Sequence, residues 1–229
     1  YLVLYPGMGN FPGLLGWTQE KEVRGHQQQA QAQFADQFGA YAQTPIEELA
    51  RDPDAMKMGL RLFANNCAVC HGSDGGGNLG YPNLTDDAWQ WGGSPERIKQ
   101  TLINGRQAAM PAWSASLGEE GIAQVTEHVL SLGGREHDAQ MAEQGQAKYT
   151  QNCVACHGPK GKGNINLGAP NLTDDIWLYG GEPKEIRQTL RQGRNGVMPA
   201  QEDLLRESRI HILAAYVYSL SLDYDELPR

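Results

Sequence analysis

The sequence predicts a mostly α protein in which two tandem copies of one domain follow a helical linker. Three observations carry that prediction. Apolar residues recur at helical spacing behind capping residues, no alternating run is long enough for a sheet, and the second half of the 229-residue chain repeats the first. The repeat is the firmest of the three. Gly59, Phe63, Asn66 and Cys67 return as Gly145, Tyr149, Asn152 and Cys153, at an offset of 86. Beyond a glycine-rich loop the offset becomes 88: Pro82-Asn83-Leu84-Thr85-Asp86-Asp87 returns as Pro170-Asn171-Leu172-Thr173-Asp174-Asp175, Trp89 as Trp177, Gly105-Arg106 as Gly193-Arg194, and Met110-Pro111 as Met198-Pro199. One two-residue insertion in that loop accounts for the change.

The elements follow in order. Residues 1–17 begin with apolar Tyr1-Leu2-Val3-Leu4-Tyr5, stop at Pro6-Gly7-Met8-Gly9 and continue as a Gly/Pro loop to Trp17. Five apolar residues cannot cross a bilayer that needs about 20. They are either a stray apolar start or the last turn of a membrane helix. Residues 18–53 form the linker. Its first part is rich in Gln and Ala, with Phe34, Phe38 and Tyr41 at helical spacing, as in a helix resting on a neighbouring surface. Thr44-Pro45-Ile46-Glu47 then supplies a capping box that opens a short helix to about Leu49, and Asp52-Pro53 opens the helix that runs into Cys67. Residues 54–136 and 137–229 are the two repeats. Each has a helix leading into its cysteines, a middle helix begun by Pro95 or Pro183, and an amphipathic closing helix. The closing stripes are Ile122, Val125, Val129 and Leu132 in one copy, and Ile210, Leu213, Val217 and Leu220 in the other.

All four cysteines lie in two phrases, Cys67-Ala68-Val69-Cys70-His71 and Cys153-Val154-Ala155-Cys156-His157. Cys-x-x-Cys-His is the attachment signature of a c-type haem. One helical turn brings both sulfurs to the same side of a porphyrin, and the next residue faces the iron. Other uses of the cysteines fit less well. A zinc ribbon separates its pairs by about 15–20 residues, whereas 82 lie between Cys70 and Cys153. A thioredoxin-like site needs a βαβ context that is missing, and two disulfides would leave each following histidine unexplained.

The expected ligand set is therefore two covalent c haems with His71 and His157 on the proximal side. Met110 and Met198, 39 and 41 residues beyond those histidines in Gly/Pro-rich loops, are the distal candidates. A thioether suits iron there and raises its potential. The carbonyls of Pro82 and Pro170 can accept the second ring proton of each histidine. Trp89, Trp91, Trp177 and Tyr179 either line a haem edge or fill core, and Arg106 and Arg194 either neutralise a propionate or stand in solvent. The glycine-rich stretches 72–80 and 159–168 read as loops wrapping the haem, since neither carries the Gly-Lys-Ser/Thr of a phosphate cradle. His26, His128, His137 and His211 read as surface or packing residues. The net charge of −8, spread evenly along the chain, argues against nucleic acid and favours cationic partners.

Each half resembles the class I cytochrome c domain: a helix, Cys-x-x-Cys-His, a methionine loop and a closing helix. Gly59, Gly145 and Tyr216 sit where that family crosses its first and last helices closely, while His128 departs from the pattern. The whole chain resembles a narrower family, the dihaem subunit (subunit III) of cbb3-type cytochrome c oxidases. The likeness includes Tyr5-Pro6-Gly7-Met8-Gly9, Trp17, Thr44-Pro45-Ile46-Glu47-Glu48-Leu49, both Asn-Leu-Thr-Asp-Asp segments and both Met-Pro pairs. This resemblance implies a non-catalytic subunit that takes electrons from a donor cytochrome c. It passes them to a monohaem cytochrome c subunit and on to a catalytic haem–copper subunit that reduces O2. It also implies an upstream membrane anchor in the bacterial inner membrane, with the haem domains on the periplasmic side. Two other readings compete: a free soluble dihaem carrier similar to cytochrome c4, and a dihaem peroxidase, which would need one iron with a vacant or displaceable ligand.

Overall fold

The computed structural model describes residues 16–222. The expected membrane-helix stub at Tyr1–Tyr5 lies outside the described residues. Compact units divide after Thr44. In the first, α1 (Gln19–Gln43) starts at Thr18, whose hydroxyl accepts from the Lys21 backbone N–H at 3.1 Å. Of the expected aromatic stripe, the Phe34 side chain lies outside the described residues. Among the described residues, no helix is long and apolar enough to cross a membrane.

The second unit begins earlier than the expected linker boundary at residue 53. α2 (Ile46–Leu49) buries Ile46 and Leu49, so it belongs to the folded body and not to the linker. α3 (Pro53–Asn66) follows, with Asp52 capping the Asp54 and Ala55 N–H groups at 2.9 and 2.8 Å and Pro53 in its first turn. The remaining elements are α4 (Ala68–His71), α5 (Pro95–Asn104), β1 (Arg106–Met110), α6 (Ser114–Leu132, kinked at Gly118), α7 (Ala139–Asn152), α8 (Val154–His157), α9 (Pro183–Gln192), β2 (Arg194–Met198) and α10 (Glu207–Leu220).

The two strands correct the expectation that no sheet would form. β1 and β2 pair antiparallel, Arg106 opposite Met198 and Met110 opposite Arg194. Their half-buried and exposed residues do alternate. Five residues rich in Gln, Ala, Asn and Gly are too short and too poor in β-formers to read as a strand alone.

The closing helices bring a larger correction. Each was expected to pack on the first helix of its own repeat. Instead α10 packs on α2, α3 and α5 of the first repeat, and α6 packs on α7 and α9 of the second. A Cβ placed on Gly59 would meet Tyr216 Cβ at 2.5 Å, and one placed on Gly145 would meet His128 Cβ at 3.0 Å and the Gln124 carbonyl more closely still. Both glycines do mark close helix crossings, with partners exchanged between repeats. One lobe is therefore a continuous stretch from α6 through α9, in which the closing helix precedes the entry helix, and the other joins α2, α3 and α5 to α10.

Candidate haem sites

The two cysteine motifs fold alike. α3 ends as the Cys67 N–H donates to Phe63 O at 2.8 Å, a single helical turn carries Cys70 and His71, and Gly72 stops it at φ +80°. α7, Cys153, α8 and Gly158 (φ +76°) repeat this. All four thiols are free. Burial, reinforced by the neighbouring Cys70, pushes the Cys67 thiol up to about 11, and burial beside Cys156 does the same to Cys153. A buried sulfur that disfavours charge is well suited to a neutral thioether.

His71 and His157 are both buried. The His71 Nδ1–H donates to Pro82 O at 2.9 Å, and the His157 Nδ1–H donates to Pro170 O at 3.1 Å. A carbonyl can only accept, so each ring carries its proton on Nδ1 and keeps the Nε2 lone pair for a metal. Burial holds His157 below the usual imidazole range, and the bond to Pro170 partly offsets it.

The glycine loops explain how those carbonyls get there, a role beyond the expected wrapping of a haem. At Gly77 (φ +78°) a Cβ would meet Tyr81 O and Asn83 N at 2.7 Å and Pro82 C at 2.8 Å. At Gly163 (φ +80°) it would meet Ala169 O at 2.5 Å and Pro170 C at 2.7 Å. Only glycine lets the two passes of backbone come this close. Asn83 and Asn171 then set the next turn, each accepting from the backbone N–H and hydroxyl of Thr85 or Thr173 at 2.8–3.1 Å. The repeated Asn-Leu-Thr phrase was the visible trace of this turn.

Met110 and Met198 end β1 and β2. Sequence order counts Met110 from His71, but the fold does not leave it there. It packs against the buried core cluster of the second lobe, which includes Tyr149, Cys153, Ile186 and Leu190 and against which Val154 and Trp177 also pack. The residues after Met198 lie against the first lobe: Gln201 N–H donates to Leu102 O at 2.8 Å, and a Cβ on Gly105 would strike the Met198 carbonyl.

Arg106 donates from Nε to Thr101 Oγ1 at 2.8 Å and lies over the Trp91 ring at 5.0 Å. Arg194 donates to Thr189 Oγ1 from Nε at 3.0 Å and lies over Tyr179 at 4.3 Å. Both arginines are thus partnered within their own repeat. The Trp177 indole N–H is taken by Asp174 O at 3.0 Å, and Trp89 and Trp177 pack on Gly93 and Gly181. Among the other histidines, His26 is exposed, His211 is buried, His137 donates to Arg135 O at 2.7 Å, and His128 packs on the Tyr149 ring at 5.0 Å. Among the described residues no group of three or more His, Cys, Asp or Glu converges on a metal site of the ordinary kind. The donor set that does exist, two free cysteine sulfurs and one oriented imidazole per lobe, fits a covalent c haem in each.

Comparison with known proteins gives the same answer. The family described as cytochrome c oxidase, cbb3-type, subunit III matches twice, over residues 54–129 and 140–217. A cbb3-type cytochrome c oxidase subunit CcoP from Rubrivivax gelatinosus is 45% identical over 222 residues, covering 96% of this chain and 73% of the relative. The FixP subunit from Azorhizobium caulinodans is 39% identical, covering 96% and 81%. The CcoP subunit from Cereibacter sphaeroides is also 39% identical, covering 96% and 82%. The two family matches follow the repeats, whereas the packing crosses them.

Proposed function

Because the chain belongs to the subunit III family of cbb3-type cytochrome c oxidases, we propose that it relays electrons from a donor cytochrome c to that oxidase's monohaem and catalytic subunits. Two covalent c haems carry them. Cys67 and Cys70 hold one as thioethers, and Cys153 and Cys156 hold the other. His71 and His157 ligate through Nε2, and Met110 and Met198 supply the distal sulfurs. Each haem, when bound, contributes a one-electron ferric/ferrous couple. The protein's share is to attach, orient and shield it. The Pro82 and Pro170 carbonyls fix both imidazoles and raise their basicity. The paired Pro–His bonds are the observation that carries this reading, since they prepare both rings identically as ligands.

With His and Met on both irons, neither offers a vacant position, which favours relay over a peroxidase. The family places the chain in a membrane oxidase. An upstream anchor in the bacterial inner membrane, with both haem lobes on the periplasmic side, where c-type haem is attached, completes the reading. In the reduced holoprotein, two haems per chain by pyridine haemochrome and no CO binding at either iron are the expected results. A single haem, or an iron that binds CO without mutation, overturns the relay.

A further inference from the structure

We propose that Trp91 is a positioning residue for the second iron: with Gln90 and Arg97, it braces the turn that delivers the Pro170 carbonyl to His157. The proposal rests on the reading of His157 as a haem ligand and adds a support for that ligand from the other repeat.

The two repeats differ in the turn before this proline. Ahead of Pro82 the turn is short, with Asn78 and Tyr81 exchanging backbone bonds at 3.1 and 2.8 Å around Leu79 and Gly80. The Asn78 side chain donates to Cys70 O at 3.1 Å, so this turn is tied to its own cysteine motif. Ahead of Pro170 stands the two-residue insertion. Asn164 and Ala169 exchange backbone bonds at 2.8 and 3.1 Å around Ile165, Asn166, Leu167 and Gly168. The Asn164 side-chain oxygen accepts from the Asn166 N–H at 3.0 Å, inside the turn.

The other repeat holds this longer turn. Arg97 Nη2 donates to Asn166 Oδ1 at 2.8 Å, and Gln90 Nε2 donates to Gly168 O. Gly168 is buried at φ +65°, and a Cβ there would strike the Trp91 ring. Trp91 is itself covered by the Arg106 guanidinium, 5.0 Å from the ring centroid. Only Ala169 separates Gly168 from Pro170, whose carbonyl accepts from the His157 Nδ1–H at 3.1 Å. A ring pressed onto Gly168 therefore fixes the backbone that orients the imidazole and sets its basicity. The reciprocal contact is lighter. Gly80 N–H donates to Leu178 O at 2.9 Å, and a Cβ on Gly80 would meet Tyr179 Cε1 at 3.3 Å. Glu185, the counterpart of Arg97, turns back to the Glu182 N–H of its own helix at 2.9 Å. The first repeat thus supports the second repeat's ligand more firmly than the second supports His71.

The test uses the full-length holoprotein carrying Trp91→Ala or Trp91→Phe. In the reduced state, NMR follows the Nδ1–H of each proximal histidine, assigned through contacts to the haem on its own cysteines. With Trp91→Ala the His157 Nδ1–H is expected to exchange with solvent about fivefold faster, the factor that one ordinary hydrogen bond contributes. The His71 proton is expected to keep its wild-type rate. A weaker bond also leaves the imidazole less basic, so the potential of the haem on Cys153 and Cys156 rises while the other stays. Trp91→Phe keeps a ring on Gly168 and restores most of both properties. A response at His71 alone, or at neither histidine, overturns the proposal. Should Trp91→Ala fail to mature, Gln90→Ala decides: it removes one tie to Gly168, and an unchanged His157 exchange rate overturns the proposal. A wild-type protein without haem at His157 overturns the ligand reading itself, a failure told apart by the missing haem.

Discussion

The two lobes share one frame and secure it differently. At the helix crossing of the discontinuous lobe, Gly59 meets Tyr216, and the Phe63 and Tyr216 rings lie 5.5 Å apart. That crossing is apolar. In the continuous lobe Gly145 meets His128 and the Gln124 carbonyl, and the Tyr149 hydroxyl donates to Gly158 O at 2.8 Å. Buried Glu127 accepts from the Asp138 N–H at 3.0 Å and pairs with Arg187 at 3.2 Å, tying α6 to the α6–α7 turn and to α9. At the matching place α10 has the fully buried Ala215, and Lys99 reaches only the exposed Glu207, at 3.3 Å. Where two helices are joined by a short turn, the polar groups of that turn are at hand and have been built into the packing. Where the partners come from opposite ends of the chain, shape and apolar contact carry the crossing.

The most disruptive way to probe this difference is to fill the glycines. Alanine normally favours a helix over glycine by up to about 1 kcal/mol. Here it would be forced into backbone at Gly145 and into a ring-bearing side chain at Gly59. Overpacking of this kind costs about 1–3 kcal/mol. Gly145→Ala is expected to cost more than Gly59→Ala in denaturant unfolding of the holoprotein, because the Gln124 carbonyl belongs to a helix and cannot rotate away. Equal costs would mean that both crossings yield alike.

A milder substitution isolates the polar tie. Tyr149→Phe turns the ring into its counterpart, Phe63, and removes the hydroxyl bond to Gly158 while keeping the packing. A loss of about 1 kcal/mol is expected, read from the unfolding midpoint. No loss would show that the hydroxyl bond adds nothing beyond the ring's shape.

What could be seen in the sequence follows the range of each interaction. The cysteine turns and the proline-started helices depend on residues within a few positions, and the Pro82 and Pro170 carbonyls on histidines 11 and 13 residues away, so each left a local mark. The close-packed glycines, whose partners are distant in sequence, were marked only by the family resemblance. The exchange left no mark that could be resolved. α6 and α10 carry the same apolar stripe, and α3 and α7 carry the same glycine and aromatic, so either closing helix satisfies either entry helix. Even the departure at His128 looked like a defect of the first repeat, when it is the partner of Gly145 in the second. The strand pairing was hidden for a related reason: Gln107–Ala109 and Asn195–Val197 lie 88 residues apart in sequence and pair with each other only in the folded chain.

His128 offers the gentlest test of how the lobes differ. Burial is the main influence on it and holds it below the usual imidazole range, with a backbone hydrogen bond at Ala142 pulling partly back. Above about pH 6.5, the ordinary histidine value, the folded and unfolded chains both keep this ring neutral, and it contributes no pH dependence. As pH falls below that value the unfolded chain takes up a proton that the folded chain still refuses, so stability declines until the depressed folded value is passed. His128→Tyr places in the continuous lobe the ring that Tyr216 provides in the other, and it removes that titration. Comparing unfolding midpoints at pH 7 and pH 5, the variant is expected to lose less stability than the wild type. All other groups are common to both proteins and cancel. If the two losses are equal, the ring at the Gly145 crossing stays as free to protonate as in the unfolded chain, and the two crossings differ in shape alone.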